Sequence, residues 1–274
     1  MLIAVLIVFF IFIVFLYLSQ DKMIFLPQRI SQGELSEIRK HHGNVEDIEI
    51  RSKDGTVIRG WMLKDPRSGR SPLIIYFGGN AEELSYLIGD SDKFAGCSIA
   101  LMNYRGYGLS EGKPGEKALF EDAIASYDYF SKRADVNGEE IFVMGRSLGS
   151  GIAVYLAQNR PVNGVILVTP FDSLTSVAQE KFPYLPIFLL LRHPFDSLTR
   201  APSIKVPLLA LVAGEDEIIP PHHAKRLVDK WGGPHTLKIL AGAGHNTIDS
   251  NPDYWPSIGN YLSNLRSSAT TGER

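Results

Sequence analysis

The sequence predicts an α/β fold: a mostly parallel, twisted sheet with helices on both faces, an antiparallel hairpin leading into it, and one apolar helix ahead of everything. Three observations predict it. Short, wholly apolar runs recur along the chain, LIIYF at 73–77, IFVM at 141–144, GVILV at 164–168 and LLALVA at 208–213; strands of this kind are buried on both faces, as in parallel sheets. Segments with helical spacing, such as EKALFEDAIASYDYFSKR, separate them. The first eighteen residues, MLIAVLIVFFIFIVFLYL, contain no polar group apart from a tyrosine hydroxyl.

That opening run would rise about 27 Å as a helix, close to the hydrocarbon thickness of a bilayer. It lacks the basic start and small-residue cleavage site of a secretory signal. Residues 1–19 therefore read as a single membrane anchor. Lys22, Arg29, Arg39 and Lys40 follow it, which by the positive-inside rule puts the main domain on the cytoplasmic side. Residues 20–44 read as a polar juxtamembrane segment. The main domain is expected over 45–266 and a flexible tail over 267–274.

Within the domain, VEDIEIRSKDGTVIRGWML reads as two strands around an Asp54-Gly55 turn. Residues 64–72 are loop by composition, and LIIYF follows as a strand. AEELSYLIGDSDKFA can be helical, CSIALMNY is strand-like, and a helix is expected from Leu148 after IFVM. PLLALVA and HTLKIL complete the strands. One segment breaks the alternation: about 172–203, with FPYLPIFLLLRHPF at its centre and PFDSLT on both sides, at 170–175 and 194–199. It reads as an inserted lid whose Asp-Ser pairs cap helices or turns at its stem. Its apolar centre reads first as buried packing, with a wall for a greasy substrate as the functional reading that can hold beside it.

Composition narrows the function. A formal net charge of -2 over 274 residues gives no electrostatic footprint for nucleic acid. The single cysteine, Cys97, excludes an intrachain disulfide framework or a cysteine-rich metal site, and no histidine pair has HExxH spacing. No cofactor or metal is expected.

The chemistry-bearing motif is Gly145-Arg146-Ser147-Leu148-Gly149, set between an apolar strand and a helix. A strand–turn–helix of this form lifts its serine above the sheet edge and aims the helix N-terminus at any developing anion. A serine hydroxyl needs a base. Among seven histidines, His245 lies in a small-residue loop after the last strand, where it can reach over that edge. His41 and His42 lie near the anchor, His193 in the lid, His235 at a strand start, and His222 and His223 on an expected solvated helix face. The base needs an orienting acid. Asp216 follows a strand; Glu215, Glu217 and Asp172 compete with it, and the duplication of Asp172 as Asp196 assigns that pair to capping. The expected triad is Ser147, Asp216 and His245. The expected oxyanion donors are the N–H groups of Leu148 and of Asn80 in Gly78-Gly79-Asn80-Ala81, with Ala81 as neighbour.

With YFGGNAEE, NYRGYGLSEGKPGE, GRSLGSG, AGEDEIIPPHHA and GAGHNTI on the page, the chain resembles the α/β-hydrolase family over about 45–266, nearest the membrane-anchored and serine-aminopeptidase-like branch with its esterases, thioesterases and depalmitoylases. The resemblance implies the α/β-hydrolase fold and acyl transfer through a serine, with an ester or thioester of a small or lipid-like acyl group as substrate. It also implies that Arg105 braces loops. Three departures touch supporting groups: Gly78-Gly79 stands where members often have His-Gly, the loop before Asp216 is one residue shorter, and Thr247 follows Asn246 where relatives often have Asp. An amidase or aminopeptidase is the alternative reaction; a non-catalytic scaffold is the alternative class, and an intact set of three argues against it.

Overall fold

The computed structural model describes residues 1–42, 45–65, 69–94 and 96–271. Eight strands form one sheet: β1 Val45–Arg51, β2 Val57–Leu63, β3 Ser71–Phe77, β4 Ser98–Met102, β5 Val136–Arg146, β6 Gly164–Val168, β7 Leu208–Ala213 and β8 His235–Leu240. Their order is β1-β2-β4-β3-β5-β6-β7-β8. The hairpin β1–β2 is antiparallel and β2 meets β4 antiparallel; every later pairing, from β4–β3 to β7–β8, is parallel. Crossing over at β3 and β4 gathers the C-terminal ends of β3, β5, β6, β7 and β8 along one rim.

The helices are α1 Leu2–Ile24, α2 Gln32–His41, α3 Glu116–Phe130, α4 Leu148–Asn159, α5 Leu174–Lys181, α6 Ile187–Leu190, α7 Pro221–Val228 and α8 Tyr254–Thr271. Alternate residues of the central strands feed two cores. Ile75, Val143 and Leu167 pack with Phe120, Ala123 and Ile152 from α3 and α4. Ile74, Phe142 and Ile166 pack with Ile258 and Leu262 from α8. Both faces are dry, which is why the strands read as apolar runs rather than as alternation.

Several boundaries differ from expectation. The first helix continues through Ser19-Gln20-Asp21-Lys22 to Ile24, because its last turns have the domain to lean on. The polar segment after it contains α2, started by a capping box in which Ser31 and Glu34 satisfy each other's backbone N–H; the last two residues of that segment lie outside the described ones, as do 66–68 of the expected loop. Residues 84–93, within the stretch expected to be helical, form a 3₁₀ helix. The expected tail from 267 instead extends α8 to Thr271, and 272–274 lie outside the described residues.

Among the described residues α1 is the one helix long and apolar enough, by length and composition, to cross a membrane. Its side chains from Leu2 to Phe12 are exposed wherever described, whereas Ile13, Leu16 and Ile24 are partly covered and Gln20 is buried. The i, i+3/i+4 spacing of those four puts them on one face. At its foot Gln20 clasps the lid: its Nε2 donates to the Leu190 carbonyl (3.2 Å) and its Oε1 accepts from the Arg192 N–H (2.7 Å). Asp21 pairs with Arg192 (2.5 Å) and His193 (3.0 Å).

Candidate active site

Ser147 sits between β5 and α4 with φ 49° and ψ -117°, a left-handed conformation rare for a residue with a side chain. The turn is tight enough that its flanking glycines are obligatory. A Cβ on Gly145 would collide with the Gly149 carbonyl, and one on Gly149 with the Phe77 carbonyl. Backbone strain at this position lifts the hydroxyl to the rim.

There it meets two groups from distant loops. The Ser147 Oγ lies 3.0 Å from His245 Nε2, and His245 Nδ1 lies 2.7 Å from Asp216 Oδ2. The second Asp216 oxygen accepts the backbone N–H groups of Ile218 (2.9 Å) and Ile219 (2.7 Å), so the carboxylate cannot rotate away. Asp216 and His245 are buried. With Nδ1 donating to the carboxylate, Nε2 is left as the acceptor for the serine proton.

Leu148 is the first residue of α4, so its N–H has no partner within the helix. Leu148 and Asn80 line the same cavity as Ser147 and His245. Asn80 is fixed from behind: its carbonyl accepts from the Tyr107 hydroxyl (2.6 Å) and from the Leu26 N–H (3.0 Å). The Tyr104 hydroxyl donates to the Gly78 carbonyl (2.6 Å). Burial, with the nearby Glu82 charge adding to it for Tyr104, pushes both phenols well above their ordinary range, which keeps them neutral donors. These two tyrosines brace the loop where relatives often carry His-Gly.

Arg146 occupies the variable position of the Gly-x-Ser-x-Gly motif, so the sequence alone gives no signal of its role. It is buried, pairs with Glu82 Oε1 (3.0 Å) and donates to the His245 carbonyl (3.3 Å). One guanidinium thus ties together the serine turn, the histidine loop and the loop after β3. Arg105, expected to brace loops, reaches Asp122 through two 2.7 Å hydrogen bonds and Asp54 at the hairpin turn.

Asp172 is engaged elsewhere. It accepts from His223 Nδ1 (2.8 Å) and Arg226 Nε (2.6 Å). Burial works to raise its pKa, but the hydrogen bonds from His223 and Arg226 prevail and leave it at about 2. The two PFDSLT copies part company here. Ser173 caps α5 and Asp196 accepts from the Thr199 N–H, both as expected of caps, but Asp172 is also the buried hub of a polar cluster with His223 and Arg226. His223 is accordingly fully buried rather than on a solvated face, while His222 is exposed. Glu180 of α5 lies 2.8 Å from His222 Nε2 and 3.2 Å from His223 Nε2, with donor atoms all within 4.8 Å. Those three are the group among the described residues that could share a metal ion. Their sequence separation hid them, and as they stand they tie the lid to α7.

The cavity beside Ser147 has a volume of about 770 Å³. Its walls include Leu16, Met23 and Ile24 of α1, Val177 of α5, Leu190 of α6, and Phe171. Glu82 is its one carboxylate among the described residues, and both oxygens are occupied, by Arg146 and by the Tyr76 hydroxyl (3.3 Å).

Comparison with known proteins adds the following. A family profile described as serine aminopeptidase, S33 (Hydrolase_4), matches residues 90–193. A Mycobacterium tuberculosis protein named uncharacterized protein Rv2307c is 32% identical over 236 residues, 85% of this chain and 83% of its own length. The α/β-hydrolase domain-containing protein WAV2 of Arabidopsis thaliana is 30% identical over 231 residues, 77% of this chain and 75% of its own. A Saccharomyces cerevisiae relative, 32% identical over 226 residues and 79% of each chain, is named uncharacterized membrane protein YNL320W. In structure, the Pyrococcus furiosus esterase Pf2001 superposes with a TM-score of 0.67 at 19% identity, covering 88% of this chain and 99% of that one, a likeness of fold.

Proposed function

This chain belongs to the α/β-hydrolase family, and on that premise we propose a membrane-anchored serine hydrolase that cleaves an acyl ester or thioester through an acyl-enzyme. The observation that carries the reading is the unbroken relay from Ser147 Oγ through His245 to Asp216, at 3.0 and 2.7 Å, on a strained turn beside an apolar cavity. Ser147 attacks the carbonyl as His245 Nε2 takes its proton, and Asp216 stabilises the imidazolium. The N–H groups of Leu148 and Asn80 receive the oxyanion; one such donor is worth about 3 kcal/mol of barrier. His245 returns the proton to the leaving group, then deprotonates the water that releases the acid and restores Ser147.

The apolar lining supports an acyl chain as the group held. The length and apolarity of α1 support a single span, and the basic residues following it support a cytoplasmic domain. The serine aminopeptidase profile favours a second reading, amide or peptide cleavage. Against it, a substrate α-amine needs a free carboxylate, and Glu82 is already neutralised by Arg146. The test is to incubate the purified full chain with a fluorophosphonate probe and with acyl esters, thioesters and anilides of graded length. Labelling and ester turnover are expected in the wild type and lost in Ser147→Ala. No wild-type labelling, or labelling that survives the substitution, defeats the mechanism; anilides cleaved as fast as esters would favour the second reading.

A further inference from the structure

The anchor is more than a simple tether, because its apolar run does not stop where the domain begins. On the turns 13–20 the domain covers one flank, at Ile13, Leu16 and Gln20, while Val14, Phe15, Tyr17 and Leu18 stay exposed on the other. An apolar flank of that kind calls for lipid. Whatever stands beside those turns therefore stands in the same leaflet.

What stands beside them is the lid. Gln20 holds the Leu190 carbonyl and the Arg192 N–H, and the Arg192 guanidinium lies 5.4 Å from the centre of the Tyr17 ring. Next to that clasp, Phe188 and Leu189 are each 71% exposed, with Tyr184 at 95%. Large apolar side chains adjacent to a spanning helix, with an arginine and a tyrosine at the boundary, match the pattern of an interfacial segment, whose apolar face enters the acyl region while its charges stay at the headgroups. The cavity that holds Ser147 lies between these two elements, with Leu16, Met23 and Ile24 of the anchor on one wall and Leu190 on the other.

We propose that the lid tip around Phe188 and Leu189 is seated in the leaflet beside α1, and that the substrate is a membrane-embedded acyl ester which slides laterally between anchor and lid. Its chain lies along the anchor's covered face and its carbonyl, at the lipid–water boundary, meets Ser147. This rests on the serine-hydrolase reading and on α1 as a span, and it adds the route and the physical state of the substrate. Water for deacylation comes from the aqueous side.

The full chain in phosphatidylcholine vesicles tests it. An environment-sensitive NBD label at Leu189→Cys, with Cys97 buried, is expected to emit as in hydrocarbon and to be quenched by lipids brominated on their acyl chains. Quenching by aqueous iodide instead overturns the seating. Phe188→Glu with Leu189→Glu is expected to lower hydrolysis of a long-chain ester carried in the vesicles by about tenfold or more, since charges are disfavoured in that layer. Fluorophosphonate labelling and hydrolysis of a short soluble ester stay at wild-type level, because neither side chain lines the cavity. Ile239→Glu on β8, an exposed apolar position away from the lid, is the charge control and leaves all three unchanged. Undiminished vesicle-borne hydrolysis in the double variant overturns the lateral route. Probe labelling of the wild type separates that failure from failure of the hydrolase reading, and the label at 189 reports the seating whether or not the double variant folds.

Discussion

The two oxygens of Asp216 have separate duties, one toward His245 and one toward the Ile218 and Ile219 N–H groups. Asp216→Asn can keep the second duty while presenting an amide N–H to His245 Nδ1, which forces the opposite tautomer and leaves Nε2 carrying a proton. Turnover of esters is expected to fall by about 10⁴, with thermal stability nearly unchanged; ester kinetics beside a melting curve check it, and a fall of less than tenfold would show that Asp216 does not orient the base. Arg146 calls for the contrary pattern. Arg146→Met strands Glu82 as an uncompensated, largely buried charge, at a cost of about 3 kcal/mol in stability. Adding Glu82→Gln should recover most of the stability but little of the activity, because the His245 carbonyl and the loop after β3 remain untied. Denaturant unfolding and ester kinetics on the single and double variants separate the two effects. The meeting of Ser147, Asp216 and His245 was legible in the sequence because each follows a run that read as a strand, so each had to emerge at the same rim. Arg146 was not, since its meaning lies in Glu82, 64 residues earlier in the chain.

Elements were legible where the signal was local and strong, and less so where tertiary contact made the decision. Full burial on both faces made the central strands unmistakable, and the Asp54-Gly55 turn placed the hairpin. Helix α2 had a local signal as well, the Ser31–Glu34 capping box, but it was obscured by the polar composition around it. The lid stem is the opposite case. Both PFDSLT copies promised the same capping role, yet only one Asp meets a partner helix. His223 is buried by that meeting, 51 residues away from Asp172. The consequence is a stability prediction. Asp172→Asn removes the anion facing His223 and Arg226 and should cost about 3 kcal/mol, roughly 8 °C in melting temperature for a chain of this size. With the folded pKa lowered to about 2 from an ordinary 3.8, the contribution is complete above the unfolded value and is lost as pH falls through the folded one. The gap between wild type and variant should therefore be constant from neutrality down to about pH 4.5 and shrink below 4. Thermal melts at a series of pH values measure this; a gap that persists undiminished below about pH 3 would mean that the charge of Asp172 does not supply it.

At the scale of the whole molecule, α1, the proposed anchor, is also part of the fold. Phe25, directly after it, is buried against the rings of His193 and Phe195, Leu26 donates to the carbonyl of Asn80 in the expected oxyanion loop, and the helix above supplies a cavity wall. None of this could be read from an apolar run, because hydropathy reports that a helix avoids water and says nothing of which residues face protein. The division made by burial at residue 13 can be used to separate the two roles. Replacing residues 2–12 with a different apolar sequence of equal length, such as alternating leucine and alanine, preserves the span while touching no described contact of the domain. Activity toward vesicle-borne and soluble esters should stay within about twofold of wild type. Leu16→Trp with Met23→Trp instead leaves the span intact but fills the acyl wall with about 100 Å³ or more of added side chain, in a cavity of about 770 Å³. The preferred acyl chain should then shorten by several methylenes, each worth about 0.8 kcal/mol of binding, while short soluble esters are turned over as before. A chain-length series of p-nitrophenyl esters on the two variants reads this directly. If the tryptophans leave the length preference untouched while the upper-helix swap alters it, the anchor acts only through its place in the bilayer and its lower turns do not hold substrate.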